Sequence, residues 1–350
     1  MPKVAISPAL LHGWVAPGFE AVETEFRKNF TERGDVGAAC AVYHKGIKVV
    51  DLWGGYRDAR THALWQEDTL EIVFSTTKGM AAICLAMLNA RGRLDYDEKV
   101  VAYWPEFGQN GKHKITVRQL ISHQAGLVAL DQPLDLPTMA DLDKMATILA
   151  RQKPLWEPGT HCGYHSITLG FYQNELVRRT DPQRRSLGQF FADEVAARLG
   201  IEFYIGLPPD VPLSRIGRLK WDWSVLSDFI STTLKEDQLL PTLADALNPR
   251  SLTRRAFQGR LPLLTADFTN PAFRSVEIPS ASGIGQARAI ARAYGAMATG
   301  GRELGITPGT MDALTAPTIP PTQGEFDLVM RKELKHSLGF GKPCANTRFS

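Results

Sequence analysis

Ser75 and Lys78 stand three residues apart in Phe74-Ser75-Thr76-Thr77-Lys78-Gly79-Met80, directly before an apolar run. If that run is a helix, the two side chains lie one turn apart on one face. A serine at a helix N-terminus sits among free N–H groups, which favour a developing oxyanion and ease formation of an alkoxide. A lysine enclosed beside it loses solvation, its pKa falls, and it can take the serine proton. The spacing alone decides nothing. With 15 Ser and 15 Lys in the chain, Ser-x-x-Lys arises by chance about 0.6 times, and a capping serine with a surface lysine would account for it. The run that follows tips the balance. Met80, Ala81, Ile83, Cys84, Leu85 and Met87 leave the helix apolar nearly all round, so it reads as buried. A lysine at the head of a buried helix is not an ordinary solvated lysine.

Other routes to chemistry fall away. The sequence holds no GxSxG, HExxH, Walker A or GxGxxG pattern. His161 and His165 share a metal-like spacing, but Pro158-Gly159 and Gly163 make their segment a loop rather than a ligand-bearing helix. No metal and no cofactor is expected. Cys40, Cys84, Cys162 and Cys344 stand far apart without a CxxC. That suggests neither a disulfide framework nor a zinc knuckle and points to a reducing, cytoplasmic compartment. Forty Lys and Arg against 37 Asp and Glu give a formal net charge of +3, with no basic stripe to mark a nucleic-acid partner. No apolar run approaches the ~18 residues of a membrane span, and Pro8 interrupts the short apolar stretch near the start, so a secretory leader is not expected.

The elements that must position Ser75 and Lys78 follow from patterning. At 350 residues, 44% apolar and 22% charged, the chain suits one large domain or two closely packed ones. Residues 17–30 place Phe19, Val22, Phe26 and Phe30 at helical spacing. Residues 36–43 and 47–53 read as a hairpin turned at His44-Lys45-Gly46. Helical patterns follow at 76–92, with Ser75 as N-cap, and at 117–124, 139–152, 166–178 and 186–199. Residues 202–280 are mixed; Trp221 and Trp223 there could line an acyl pocket or belong to the core. A last helix at 286–299 ends at Gly300-Gly301, and weak strand signals return near 325–341. This order predicts an α/β (α+β) fold, an antiparallel sheet flanked by helices. Residues 1–70 and 275–350 would form the sheet region, and 71–274 a large inserted, mainly helical region carrying the nucleophile. The site would lie in the cleft between the two.

Seven segments in order resemble the serine β-lactamase/penicillin-binding-protein superfamily, in the branch with class C β-lactamases and related esterases and transesterases. They are Val50-Asp51-Leu52-Trp53-Gly54-Gly55, Phe74-Ser75-Thr76-Thr77-Lys78, and Ile115 to Leu127 with its Ser122-His123-Gln124-Ala125-Gly126-Leu127 loop. Glu157-Pro158-Gly159, Tyr164-His165-Ser166, Phe203 to Pro208 and Ser282-Gly283 complete the set. The resemblance implies that Ser75 is the acylated nucleophile, Lys78 its proton acceptor and Tyr164 a second general base, with His165 and Ser166 on the substrate side. From the residues alone, a tyrosine in a Pro-Gly loop reads as a packing aromatic with a wet tip. The resemblance makes it a proton carrier, since a phenol near a cationic lysine has its phenolate favoured. His123 would belong to a structural loop. Ser166 stands where β-lactamases carry an Asn that helps hold the β-lactam side chain, so penicillins should be poor substrates and carboxylic esters better ones.

The implied reaction is acyl transfer from a small ester or acyl substrate through acyl-Ser75. The alternative is a catalytically impaired relative kept for binding or scaffolding. The family also uses a Lys-Thr-Gly or His-x-Gly strand to complete its oxyanion hole. Ser337-Leu338-Gly339-Phe340-Gly341 resembles the strand before that element, and His336 falls too early in register to supply it. On the resemblance, the 350-residue chain is expected to be a shortened form, poorly active and prone to associate.

If Lys78 is the base, Lys78→Arg should slow acylation nearly as much as Lys78→Ala, because arginine keeps its proton near neutral pH. Pre-steady-state acylation rates of the two variants check this; near-normal rates for Lys78→Arg would exclude the base role.

Overall fold

The computed structural model describes residues 10–219, 244–245, 248–258 and 270–344; Trp221 and Trp223 lie outside them. The expected hairpin is the centre of the larger sheet. Strand β1 (Leu11–Val15) and β2 (Gly37–His44) flank β3 (Ile47–Asp58), and β4 (Ala63–Leu64) pairs with the far end of β3, all antiparallel. Lys45 and Gly46, both with positive φ, form the two-residue turn, the geometry whose twist matches a right-handed hairpin. Helix α1 (Glu20–Lys28) and the π-turn Asn29–Arg33 lay Phe26 and Phe30 against Val50 and Leu52 of the sheet.

The nucleophile segment departs from expectation in its local geometry. After β5 (Glu71–Ile72) a 3₁₀ turn, Phe74–Thr76, leads into α2 (Thr77–Ala90). Ser75 lies inside this turn and makes no capping bond; Thr76 holds the cap position of α2. The cause is Phe74, whose φ of 43° puts a bulky residue in the left-handed region at a cost of about 1–3 kcal/mol. The bend lets the Thr77 hydroxyl donate to the Phe74 carbonyl and leaves Ser75 exposed. From Thr77 to Leu88 every residue of α2 is buried. Each of its large apolar side chains contributes about 1.5–3 kcal/mol on burial, which holds the helix head rigid.

Helices α3 (Thr168–Thr180) and α4 (Leu187–Phe191) pack on α2. The helix expected over 139–152 is two, Leu136–Ala140 and Leu142–Arg151, because the Asp141 side chain accepts the Lys144 N–H and starts a new N-terminus. A second sheet, ordered β5-β7-β6, joins β6 (Phe203–Ile205) and β7 (Gly283–Gly285) to the strand before the nucleophile. There Gly283 O accepts from Val73 N–H and Gly283 N–H donates to Thr77 Oγ1, 2.9 Å each. A Cβ at Gly283 would lie 2.4 Å from that hydroxyl oxygen, so the close approach requires glycine. Helix α5 (Ala287–Ala298) then crosses β2.

The late strands do not complete the opening sheet as expected. Among the described residues, β8 (Phe326–Asp327) pairs with β9 (Lys332–Glu333), and β10 (Lys335–Ser337) with β11 (Phe340–Lys342). The β10–β11 turn, Leu338-Gly339, has positive φ at both residues. It is pinned near the helical region, where Leu338 N–H donates to Ser122 Oγ and Gly339 N–H to Ile121 O, 3.0 Å each. One hydrophobic core runs from Leu70 through Leu85 and Ile284 to Leu338. No helix among the described residues is long and apolar enough to cross a membrane.

Gly170 of α3 faces the chain just before β7: a Cβ there would sit 2.3 Å from Ser280 N and 2.6 Å from Pro279 C. Backbone cannot swing away as a side-chain tip can. Gly170→Ala should therefore destabilise the fold by roughly 1–3 kcal/mol, measured by chemical denaturation; a variant of unchanged stability would show that α3 and this segment are free to separate.

Candidate active site

Lys78 is buried, with 5% of its surface exposed. Its Nζ lies 3.2 Å from Ser75 Oγ and donates to Ser166 O at 2.6 Å and Ser280 O at 2.9 Å. No carboxylate is among these partners. Burial alone pulls the Lys78 pKa down from 10.5 to about 7. The consequence is geometric. A neutral amine has two hydrogens and one lone pair; with both hydrogens given to carbonyls, the lone pair is left for the Ser75 hydroxyl. In its charged form the third hydrogen points the same way. The geometry allows one proton to pass between Ser75 and Lys78.

Ser75 itself is exposed, so a substrate carbonyl can reach its Oγ. Its own N–H belongs to the first turn of the helical segment, where N–H groups have no intrahelical acceptor and can face an oxyanion.

Tyr164 joins these two. Lys78 Nζ sits 4.7 Å from the centre of its ring, and Ser75 is among the groups that act on its phenol. Burial pushes the phenol pKa up, Ser75 works against that, and the Asp327 carboxylate adds to it. Tyr164 therefore rests as a protonated hydroxyl rather than as the phenolate that the resemblance favoured. Ser166 is buried at 4% exposure and serves Lys78 through its carbonyl.

The expectation that His165 contacts substrate is corrected. Its side chain is fully buried; Nε2 accepts the Leu127 N–H at 3.1 Å, so Nδ1 carries the proton and donates to Gly163 O at 2.7 Å. Both ring nitrogens are committed to backbone, and burial holds the pKa down to about 3. His165 is a neutral brace. Its backbone N–H in turn donates to His123 Nδ1 at 2.9 Å, which fixes His123 in the loop expected of it, with its pKa pushed well below 6.5 by burial and by neighbouring His336, His165 and Lys78.

Three groups that sequence reasoning missed or discounted are also here. Ser280 acts through a carbonyl, which any residue type supplies, so only the small-residue run before β7 hints at it. His336 stacks on Tyr164 with ring centres 5.8 Å apart and meets the His123 ring at 4.6 Å. Burial and the nearby Lys78 hold it neutral, with a pKa of about 4. Asp327 accepts the Tyr164 N–H at 3.1 Å. Among the described residues no cluster of His, Cys, Asp and Glu could hold a metal ion.

An exposed serine beside a buried lysine and a half-buried tyrosine, set between helices and antiparallel strands, marks the class of fold. The family model described as Beta-lactamase matches residues 26–341, and the chain belongs to that family. It is 32% identical over 343 residues to the esterase/beta-lactamase LipL of Mycobacterium tuberculosis, covering 95% of this chain and 75% of that one. Among solved structures, a family VIII carboxylesterase superposes with a TM-score of 0.80 at 34% identity, over 96% of this chain and 84% of the other. A penicillin-binding protein homologue from Caulobacter crescentus does so with a TM-score of 0.78 at 35% identity, over 95% and 82%.

The depressed Lys78 pKa makes a signed prediction about stability. Between about pH 7 and 10.5 the unfolded chain holds a proton on Lys78 that the folded chain does not, so the wild type gains stability as pH rises through that window. The stability of Lys78→Met relative to wild type should fall steadily from pH 6 to pH 10 in denaturant titrations. A difference independent of pH would mean that Lys78 stays charged in the fold.

Proposed function

We propose that this protein is a carboxylesterase-like serine hydrolase that works through an acyl-Ser75 intermediate. The observation that carries the reading is the buried Lys78 Nζ, 3.2 Å from the Oγ of an exposed serine, with two backbone carbonyls as its other partners. In acylation the Ser75 hydroxyl gives its proton to Lys78 while Oγ attacks the ester carbonyl. The negative oxygen that forms faces the Ser75 N–H. Tyr164, protonated and close to Lys78, delivers its proton to the departing alkoxide and recovers one from the Lys78 ammonium. Water then enters where the alcohol left, loses its proton along the same path, and frees the carboxylic acid and Ser75. Nothing is consumed but ester and water.

The choice of esters over β-lactams is supported by Ser166 at the position where the resemblance puts asparagine in β-lactamases, and by relatives named as esterases or carboxylesterases. The rival, a scaffold with an inert serine, is disfavoured by relatives named as esterases or carboxylesterases over nearly the whole chain. A cytoplasmic location is supported by the four free cysteines, three of them buried.

A fluorophosphonate probe with intact-mass detection tests this reading. The wild type should gain one adduct, and Ser75→Ala none, together with loss of p-nitrophenyl ester turnover by roughly a thousandfold or more. Because the Ser75 side chain makes no cap, the variant should melt within about 1 kcal/mol of wild type. Turnover retained by Ser75→Ala would refute the assignment.

A further inference from the structure

Asp327 is fully buried, and its Oδ1 accepts three backbone N–H groups: Tyr164 at 3.1 Å, Val329 at 2.9 Å and Met330 at 2.8 Å. The last two form the tight turn between β8 and β9. The first reaches across to the active-site loop, where Cys162 bridges to Asp327 and Leu328 N–H donates to Cys162 O at 3.0 Å. An asparagine would make all three Oδ1 bonds without burying a charge. The second oxygen, Oδ2, is buried and makes no hydrogen bond among the described residues, an arrangement that costs about 1–3 kcal/mol. Three donors on one oxygen explain the turn but not the carboxylate.

We propose that Asp327 is a positioning residue for Tyr164: Oδ1 anchors its backbone, and the buried negative charge holds its phenol in the proton-donating form. The electrostatics run in one direction. An anion beside a phenol disfavours the phenolate, and Asp327 acts so on Tyr164. The other groups facing Tyr164 are the Ser75 hydroxyl, Lys78 over the ring, and the rings of His123 at 4.9 Å and His336 at 5.8 Å, both held neutral. Above about pH 7 Lys78 is neutral, so Asp327 is the charge that acts on the phenol. Burial pushes the Asp327 carboxyl itself up, while its three backbone donors and the Lys332 ammonium pull it back down; the neighbouring Cys162 thiol is pushed up by burial, Asp327 and Glu325. Lys78 owes its own shift to burial alone, so Asp327 tunes the phenol and leaves the base untouched.

The inference rests on the proposed proton-carrying role of Tyr164, and the test separates the two. Steady-state hydrolysis of a p-nitrophenyl ester is followed from pH 6 to pH 11 for wild type, Asp327→Asn, Asp327→Ala and Tyr164→Phe. Asp327→Asn keeps the acceptor oxygen and loses only the charge. It should keep KM within about twofold and move the alkaline limb of kcat to lower pH by roughly one unit. Asp327→Ala loses the anchor as well and should lower kcat by roughly tenfold or more at all pH values. A folded Asp327→Asn with the wild-type limb would overturn the inference while leaving Tyr164 in place. Wild-type turnover by Tyr164→Phe would overturn the Tyr164 role and this inference with it. Should Asp327→Asn fail to fold, the Tyr164 ionisation is followed by absorbance on alkaline titration in wild type and in Asp327→Ala, each against the same protein carrying Tyr164→Phe. Ionisation at lower pH in Asp327→Ala than in wild type supports the charge, and ionisation at the same pH refutes it.

Discussion

The structure depends on Lys78, a buried amine with no carboxylate partner among the described residues. Taking an ammonium out of water costs several kcal/mol after relaxation. Two carbonyls do the work instead, Ser166 O from the loop before α3 and Ser280 O from the segment before β7. They lie 88 and 202 residues from Lys78 in sequence, so the lysine can be satisfied only when three distant parts of the fold have assembled. Carbonyls are a particular choice of partner. They stabilise an N–H donor in either protonation state, whereas a carboxylate would lock the ammonium and raise its pKa. A lysine that must give up and regain a proton near neutrality needs the first kind of neighbour.

Neutrality around the site follows from the same constraint. His123, His165 and His336 crowd Tyr164 and Lys78, and burial keeps all three uncharged. Each positive imidazole would push the Lys78 pKa lower and strip the site of its proton reservoir. As neutral rings they supply shape. His165 ties the loop to Leu127 and Gly163, His123 takes the next backbone N–H, and His336 closes the stack on Tyr164. The cluster looks like chemistry in a residue list and acts as masonry in the fold.

That difference marks what could be read from sequence. The opening hairpin, the buried helix after Ser75 and the nearness of Ser75 to Lys78 were legible, because periodicity and i,i+3 spacing are local properties. Tyr164 was legible through family resemblance, since a lone tyrosine in a loop carries no signal of its own. The carbonyl of Ser280 was not, for a backbone group has no residue type. The role of His165 was misjudged because its partners, Leu127 N and Gly163 O, are again backbone. The N-cap expected at Ser75 failed for a steric reason: Phe74 takes a left-handed φ, and the turn it makes gives Phe74 O to Thr77 and leaves the serine pointing out. The late strands failed for a topological one, since two short hairpins carry the same alternation as the edge of a larger sheet.

Ser166 shows how such a site can change its substrate without losing its base. Its contribution to Lys78 is the carbonyl oxygen, common to every amino acid, so the side chain at this position is free of that duty. By the family resemblance an asparagine amide here would serve a β-lactam; a serine at the same place leaves Lys78 held as before. The following helix, α3, is fixed by burial of Leu169, Phe171 and Tyr172, and Gly170 seats it against Pro279 and Ser280, so the carbonyl position is set by packing rather than by the residue that carries it. The carbonyl and the side chain of Ser166 are thus separable: the first holds Lys78, and the second can be replaced while the buried amine keeps its two acceptors.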